Sequence, residues 1–304
     1  MARNRRDFLK VSAAIGVLGV SDASAKPVRR RHRRTSNPYI AVISSIAIDP
    51  SLLGTFTQQL PGGTTVTPYP SLTYKKNKLA RQIKKLDNDS ACLLIVTVGG
   101  SVAYEVANAY LTDANQKHFI SLVGSLPEAA NQSSQLYGGV ALKSAETNSF
   151  RITWLTNNAK FQPNQITLLR NLNSEMRARE SALWQGNECV VNGGNDTNGD
   201  NSSATYAADF AKVSTPAVII SADPHFQDSK AQLIQAANTW GGYVCYPLQD
   251  YNSGAPTPTK GVIIGPSLLD AYKTLGQHAN MFLQAGASPG IVPVQNPNQV
   301  TPVS

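Results

Sequence analysis

The sequence predicts an α/β protein with two open parallel sheets, each covered by helices on both faces. Short apolar runs alternate with amphipathic stretches from residue 38 onward, beginning with YIAVISSIAI (39–48). Continuous apolar runs are typical of strands that are covered on both faces, and strand–helix alternation is typical of βαβ units. The alternation starts again after residue 150. We therefore expect two sheets of four or five strands each.

In the first half, the apolar runs have strand length and the stretches between them have helical periodicity. Leu79, Ile83 and Leu86 recur at helical spacing, so we expect them to share one buried face. The predicted strands are residues 39–48, 64–71, 92–100, 118–125 and 137–144. The predicted helices are residues 49–60, 75–89 and 101–114.

The second half follows ETNSFRITWLTNN (146–158), which we interpret as a helix that links the two halves. The last predicted helix has Pro266 at its start and Gly286 past its end, the usual order of these residues. The predicted strands are residues 164–171, 188–194, 216–223, 243–248 and 261–265. The predicted helices are residues 174–185, 203–213, 226–240 and 266–286.

The N-terminus has the composition of an export signal. NRRDFLK (4–10) precedes the apolar run Val11–Val20 and a small-residue site that ends at Ala25. Ten apolar residues are too few to span a bilayer as a helix, and the Arg-Arg-x-Phe-Leu-Lys order resembles a twin-arginine signal. No cysteine precedes Cys92, so no lipid anchor is expected. We expect cleavage after Ala25 and a periplasmic product exported by the twin-arginine machinery.

The basic charge of the chain is confined to its N-terminus. The formal net charge is +8, and residues 1–34 account for all of it, so residues 35–304 sum to zero. The run RRRHRR (29–34) either binds phosphates or anionic headgroups, or is a solvated part of a disordered leader over residues 26–37. A neutral body argues against nucleic acid as a partner.

The three cysteines argue against a disulfide framework and against a metal site. Cys92, Cys189 and Cys245 are odd in number and widely spaced, and each lies in an apolar run. A cysteine in such a run behaves as a small buried hydrophobe. No phosphate-binding glycine motif occurs either, so the sequence predicts neither a metal nor a cofactor.

Small and polar residues follow several predicted strands. In open α/β sheets, ligands bind beyond the carboxyl ends of the strands, where free N–H groups at helix starts favour an anionic group. Asp223 is the carboxylate among them, and it could hold a ligand ammonium. Each residue could instead serve only as a helix N-cap. The other candidate ligand-binding residues at these ends are Ser44, Ser45, Gly100, Ser101, Ser125, Asn173 and Ser174.

No motif in the sequence supports catalysis. GASPG (286–290) has the spacing of a nucleophile elbow, but it follows a helix, and Pro289 removes the N–H that an oxyanion hole needs. His225, two residues after Asp223, is the only histidine near the expected cleft. We therefore predict a protein that is not an enzyme, with an enzyme that uses Asp223 and His225 as the less favoured alternative.

The C-terminal stretch GVIIGPSLLDAYKTLGQHANMFLQAGASPGIVPVQNPNQ (261–299) resembles the signature of a family of ABC-transporter substrate-binding proteins, the tryptophan/tyrosine-type periplasmic components. ITLLRNLNSEMRARE (166–180) is similar to that family's strand and Asn-x-Asn-Ser-like turn. The resemblance covers residues 38–300. Arg170 and Leu172 depart from the family pattern, and so does the polar insert at residues 193–203.

The resemblance implies a type I periplasmic binding fold whose two lobes close on a small ligand about a hinge. The first lobe would span residues 38–150, completed by 258–304, and the second lobe residues 151–257. Hinge strands are expected near residues 144–165 and 248–262. Tyr251 or Phe226 could stack on the ligand or pack the hinge.

The function that the resemblance implies is that of a monomeric receptor. It would deliver an amino-acid-like solute to a membrane ABC permease. The alternative is a sensor of the same fold, which would present its ligand-dependent closure to a membrane signalling partner.

Overall fold

Two six-stranded sheets organise the chain. The structure is a computed structural model, which describes residues 37–44, 47–69, 76–99, 117–124, 136–172, 180, 182–184, 186–191, 203–285 and 290–303. The strands are β1 (Tyr39–Ser44), β2 (Thr65–Tyr69), β3 (Cys92–Val98), β4 (Phe119–Val123), β5 (Leu136–Ala141), β6 (Ile166–Asn171), β7 (Asn187–Val191), β8 (Ala217–Ile220), β9 (Tyr243–Tyr246), β10 (Gly261–Ile264), β11 (Gly290–Pro293) and β12 (Val300–Pro302). The described helices are α1 (Pro50–Thr57), α2 (Lys76–Asp87), α3 (Thr147–Asn157), α4 (Ser203–Phe210), α5 (Pro224–Asp228), α6 (Lys230–Trp240) and α7 (Leu268–Ala285).

The strand order assigns each sheet to one lobe. The first sheet has the order β11-β5-β4-β3-β1-β2, and the second has the order β12-β10-β9-β8-β6-β7. All pairs are parallel except β10–β12, which is antiparallel. The predicted fold class, α/β with two open parallel sheets in two lobes, is confirmed.

The continuous apolar runs are buried on both faces of their strands, as predicted. In β1, Ile40 and Val42 pack into one hydrophobic cluster, whereas Ala41 and Ile43 pack into another on the opposite face. The second cluster includes Leu79, Ile83 and Leu86, the predicted buried face of α2. The three cysteines are free and buried, as the sequence predicts.

The chain crosses between the sheets at three places. The crossings are residues 142–165, which include α3, residues 265–289, which include α7, and residues 294–299. Leu155 of α3 packs with Ile166 of the second sheet, whereas α7 packs against α1, β4 and β5 of the first lobe.

The C-terminal boundaries of the lobes differ from the prediction. Residues 258–304 do not all complete the first lobe, because β10 and β12 pair within the second sheet. The second predicted hinge, 248–262, is wrong for the same reason: this stretch precedes the crossing and lies in the second lobe. Each sheet has six strands because β11 and β12, which were not predicted, add one strand to each.

The predicted helix 101–114 and most of 174–185 lie outside the described residues. Among the described helices, none is both long and apolar enough to cross a membrane.

Candidate functional site

A cavity of about 360 Å³ lies between the carboxyl ends of strands from both sheets. The first lobe lines it with residues that end or follow β1, β3, β4 and β5, and the second lobe with residues that follow β8 and β9. The start of α7 closes one side. The residues that line the cavity are Ala47, Ile48, Asp49, Pro50, Leu52, Val98, Gly99, Leu122, Val123, Gly124, Leu142, Ala222, Gln227, Asp228, Lys230, Leu248, Leu268 and Tyr272. Its volume is within the usual range for small-molecule sites.

Most of this lining is aliphatic, and the charged groups are grouped on helices α1, α5 and α6. Asp49 caps α1: its Oδ1 accepts hydrogen bonds from the Ser51 N–H at 2.8 Å and the Ser51 hydroxyl at 2.7 Å. These bonds lower the pKa of Asp49, and the positive charge of Lys230 lowers it further. Lys230 itself donates to the main-chain oxygen of Asp250 at 2.8 Å. The described lining therefore offers an apolar interior with charge of both signs beside it.

Asp223 acts as a helix cap in this structure. Its Oδ1 accepts hydrogen bonds from the His225 N–H at 2.8 Å and from Asn171 Nδ2 at 3.3 Å, and the residue is 5% exposed. It does not belong to the described lining of the cavity. Its neighbour Ala222 does, so the predicted strand end is at the cavity. A role for Asp223 in holding an ammonium stays a prediction.

His225 takes part in a buried polar cluster of the second lobe. Its Nε2 lies 3.1 Å from the Tyr206 hydroxyl, which also bonds to the Ser229 hydroxyl at 2.5 Å. Burial lowers the pKa of His225. Its hydrogen bond with Asp223 uses the main-chain N–H rather than the ring. The described contacts therefore give these two side chains the geometry of a helix start, not that of an acid–base pair.

The predicted aromatic residues pack in the core of the second lobe. Phe226 is buried beside Tyr206, and Tyr251, 1% exposed, packs on Tyr246 with ring centroids 5.3 Å apart. Among the described residues, nothing hydrogen-bonds to the Tyr251 hydroxyl, and burial raises its pKa well above the usual value.

Ser44 ends β1 and is buried. The remaining predicted site residues lie outside the described residues, and their roles stay predictions: Ser45, Gly100, Ser101, Ser125, Asn173 and Ser174. Gly99 and Gly124, which directly precede three of them in two loops, do line the cavity.

Sequence reasoning missed several lining residues. Leu268 and Tyr272 lie at the start of α7, and Gln227 and Lys230 lie on α5 and α6. These lining residues could have been predicted only because their helices follow strands whose carboxyl ends lie at the ligand-binding edge of the sheet. In the part of the chain that the structure describes, no group of three His, Cys, Asp or Glu residues could hold a metal ion.

No family model and no curated protein matches this sequence. Several solved structures do match this chain. An ABC domain from Streptococcus pneumoniae in complex with L-Trp is 14% identical, with a TM-score of 0.55 over 83% of this chain and 89% of that chain. The trehalose repressor from Escherichia coli is 12% identical, with a TM-score of 0.57 over 88% of this chain and 100% of that chain. A carbohydrate transporter from Acidothermus cellulolyticus in complex with myo-inositol is 13% identical, with a TM-score of 0.55 over 88% of this chain and 94% of that chain.

These similarities concern the fold, because identity below 15% does not carry function with it. The structures include an ABC domain, a repressor and a carbohydrate transporter, and two of these structures are complexes, one with an amino acid and one with a polyol. The TM-scores show that the arrangement of the two sheets and their helices is shared with this group of structures. The chain therefore has the two-lobed type I periplasmic binding fold.

Proposed function

We propose that this protein is a solute receptor that traps a small amino-acid-like molecule between its two lobes and delivers it to a membrane ABC permease. The observation that carries the proposal is the cavity of about 360 Å³, lined from both lobes at the carboxyl ends of their strands. A ligand in that position contacts both lobes, so its binding would favour the closed arrangement.

The lining supports a ligand with an apolar body. Val98, Leu122, Leu142 and Leu248 offer aliphatic surface from both lobes, where a sugar would need hydrogen-bonding partners around its ring. Gln227, Asp228 and Lys230 offer polar partners from one side of the cavity. An amino acid with a large apolar side chain has this distribution of apolar and polar groups.

Binding of such a ligand should raise the melting temperature of the protein. A ligand at about 100 times its Kd stabilises the folded state by about 2.7 kcal/mol, which a thermal-shift screen of amino acids, small peptides, nucleosides and sugars would detect. The Ala222→Phe variant should lose the shift, because the added ring enters the cavity from the end of β8.

The matched control is Ala207→Phe, which adds the same ring at an exposed position of α4. It should keep the parent's shift. A ligand that stabilises the parent and Ala222→Phe equally would place its binding site outside this cavity. No shift from any amino acid, with a clear shift from a sugar, would contradict the proposed ligand class.

We also propose that the protein reaches the periplasm through the twin-arginine route. The support is the order of residues in NRRDFLK (4–10), since the export receptor reads the arginine pair. Changing both Arg5 and Arg6 to lysine keeps the charge and should leave the full-length protein in the cytoplasm. Fractionation of cells that express the parent and the variant would test this, and equal periplasmic amounts of the two would contradict it.

The second candidate function is a ligand sensor. It is favoured by the presence of a repressor among the similar structures, because the same closure can be coupled to signalling. Purification of the exported protein with its membrane partner distinguishes the two: a permease supports uptake, and a signalling protein supports sensing.

A further inference from the structure

Helix α2 has a buried apolar face and an exposed basic face. The large apolar side chains of the helix are each at most 2% exposed and pack against the first sheet; they are Leu79, Ile83 and Leu86. Arg81, Lys84 and Lys85 are exposed, and their spacing of three and four residues places them together on one side of the helix. We call these three residues the basic face of α2.

The positive charge of the folded body is concentrated around this helix. Residues 75–89 (KKNKLARQIKKLDND) contain six of the seventeen basic residues of residues 35–304, but only two of the seventeen acidic residues. The rest of residues 35–304 therefore carries an excess of acidic residues. The net charge of zero results from one strongly positive segment and an otherwise acidic body.

The two carboxylates that follow the basic face do not neutralise it. Asp87 accepts a hydrogen bond from the main-chain N–H of Lys117 at 2.8 Å. Asp89 accepts bonds from the Tyr39 hydroxyl at 2.9 Å and from the Ala91 N–H at 3.0 Å. Among the described residues, no ion pair involves any residue of the basic face. Its charges are therefore directed to solvent.

This arrangement of charge is unfavourable for the helix itself. Arg81 lies three and four residues before Lys84 and Lys85, and like charges at these spacings destabilise a helix. The first turn, where the helix dipole favours acidic residues, contains Lys76 and Lys78 and no acidic residue. The dipole favours basic residues only in the last turn, so helix stability does not explain positive charge along the whole of α2.

The composition of α2 favours a charged lipid surface over a protein as the partner. Protein interfaces are enriched in aromatic residues, methionine and arginine and are depleted in lysine. Four of the five basic residues of α2 are lysines, and its described exposed residues include no aromatic or large apolar side chain. A lysine ammonium is a compact charge that needs no partner of defined shape. Basic clusters of this kind are attracted to anionic lipid headgroups.

We propose that the basic face of α2 is a docking surface for a membrane that contains anionic phospholipid. Helix α2 contributes no residue to the described lining of the cavity, so docking leaves the cavity free. This inference goes beyond the proposed function. Its test uses no solute, so a failure of one does not decide the other.

The test is flotation of the protein with lipid vesicles. The chain divides into two compact units, and the second, residues 36–304, contains every described strand and helix, so we use this unit. Its use also removes the apolar run and the run RRRHRR (29–34), which would bind vesicles independently of α2. The vesicles contain phosphatidylcholine and phosphatidylglycerol at about 2:1, and the comparison vesicles contain phosphatidylcholine alone.

At an ionic strength of about 0.1 M, charges more than about 10 Å from the membrane are largely screened, so only a local cluster contributes. We expect the unit to float with the mixed vesicles and not with phosphatidylcholine alone. About 1 M salt should release it, because the screening length falls to about 3 Å.

Replacing Arg81, Lys84 and Lys85 together with glutamine should lower the partition coefficient on the order of 100-fold, since each basic residue contributes roughly fivefold. Glutamine is a good helix former, and the buried face of α2 is unchanged, so the variant should fold. If it does not fold, Arg81→Gln alone decides, with an expected loss of about fivefold.

The matched control replaces three exposed lysines away from α2 with glutamine: Lys160, Lys260 and Lys273. It has the same net charge as the triple variant of the basic face and should float like the parent.

Three results would overturn the proposal. The first is a parent that does not bind the mixed vesicles. The second is an equal loss of binding in the two triple variants, which would show that net charge alone acts. The third is binding to a DNA duplex without binding to vesicles, which would make the basic face a nucleic-acid site.

Discussion

Replacing Gly265 with alanine is expected to lower the free energy of unfolding by about 3 kcal/mol, at the upper end of the usual cost of overpacking. A Cβ at this position would lie 1.7 Å from the main-chain oxygen of Pro247 and 2.6 Å from its carbonyl carbon. Neither atom can rotate away as a side chain can, so the segments after β9 and β10 must separate.

The separation would also disturb hydrogen bonds made by Gln249 and by Arg151, whose side chain is buried in α3. The Pro247 oxygen accepts a hydrogen bond from Arg151, and the Gly265 oxygen accepts one from Gln249. A shift of either segment weakens bonds to a buried cation, whose loss costs more than that of a neutral pair. For a chain of this size, we expect the melting temperature to fall by about 6 °C or more.

Gly54→Ala is the matched control for this substitution. Gly54 lies inside α1, and a Cβ there would meet nothing within 4 Å. Alanine should stabilise that helix by about 0.5–1 kcal/mol, because glycine loses more conformational entropy when it folds. Thermal and urea unfolding of the two variants would test both the loss of stability expected for Gly265→Ala and the gain expected for Gly54→Ala. A Gly265→Ala variant that melts with the parent would show that the two segments are not held as tightly as the structure indicates.

Much of the architecture could be predicted because the strands are buried on both faces. Runs such as CLLIVTV and PAVII have few alternatives to a buried strand, and each contains a parallel strand in the structure. The strands of the C-terminal tail were harder to predict. β11 and β12 have only four and three residues, each ends in proline, and neither contains a fully buried residue, so no periodicity identifies them. Which sheet β10 joins depends on pairing between distant segments, which a four-residue run does not encode.

The candidate site could be predicted only by its place in the fold. Strand ends indicated the correct edge, since Gly99, Gly124 and Ala222 line the cavity. Side chains could not be assigned in this way. Phe226 and Tyr251 follow strands just as a stacking residue would, yet they are buried in the core of the second lobe. A polar residue at a strand end has the same sequence context whether it caps a helix, as Asp223 does, or contacts a ligand.

The buried carboxyl of Glu180 is expected to make the protein less stable as the pH rises. Glu180 is 1% exposed, and Oε1 accepts a bond from the Ser221 hydroxyl at 2.6 Å. No described residue hydrogen-bonds to its Oε2. Burial raises the pKa of Glu180 from 4.5 to about 7, and the negative charge of Asp223 adds to this, whereas Ser221 and the two nearby arginines oppose it.

The direction of the effect follows from proton binding. Between the unfolded pKa of 4.5 and the folded pKa of about 7, the folded protein binds more protons at Glu180 than the unfolded chain does. The free energy of unfolding therefore falls as the pH rises through this window. A shift of this size corresponds to a loss of about 3 kcal/mol above the folded pKa, and the stability is fully retained below the unfolded pKa.

Glu180→Gln isolates this contribution. The amide keeps an oxygen for the Ser221 hydroxyl but cannot ionise, so the variant should be more stable than the parent at about pH 8.5 and should lose that advantage by about pH 4.5. His225 and His278, whose pKa values are lowered by burial, stabilise the fold as the pH rises and so oppose the trend. Both proteins contain them, so their effect largely cancels in the difference. Urea unfolding of parent and variant across this range is the measurement, and a difference that does not change with pH would show that Glu180 does not titrate there.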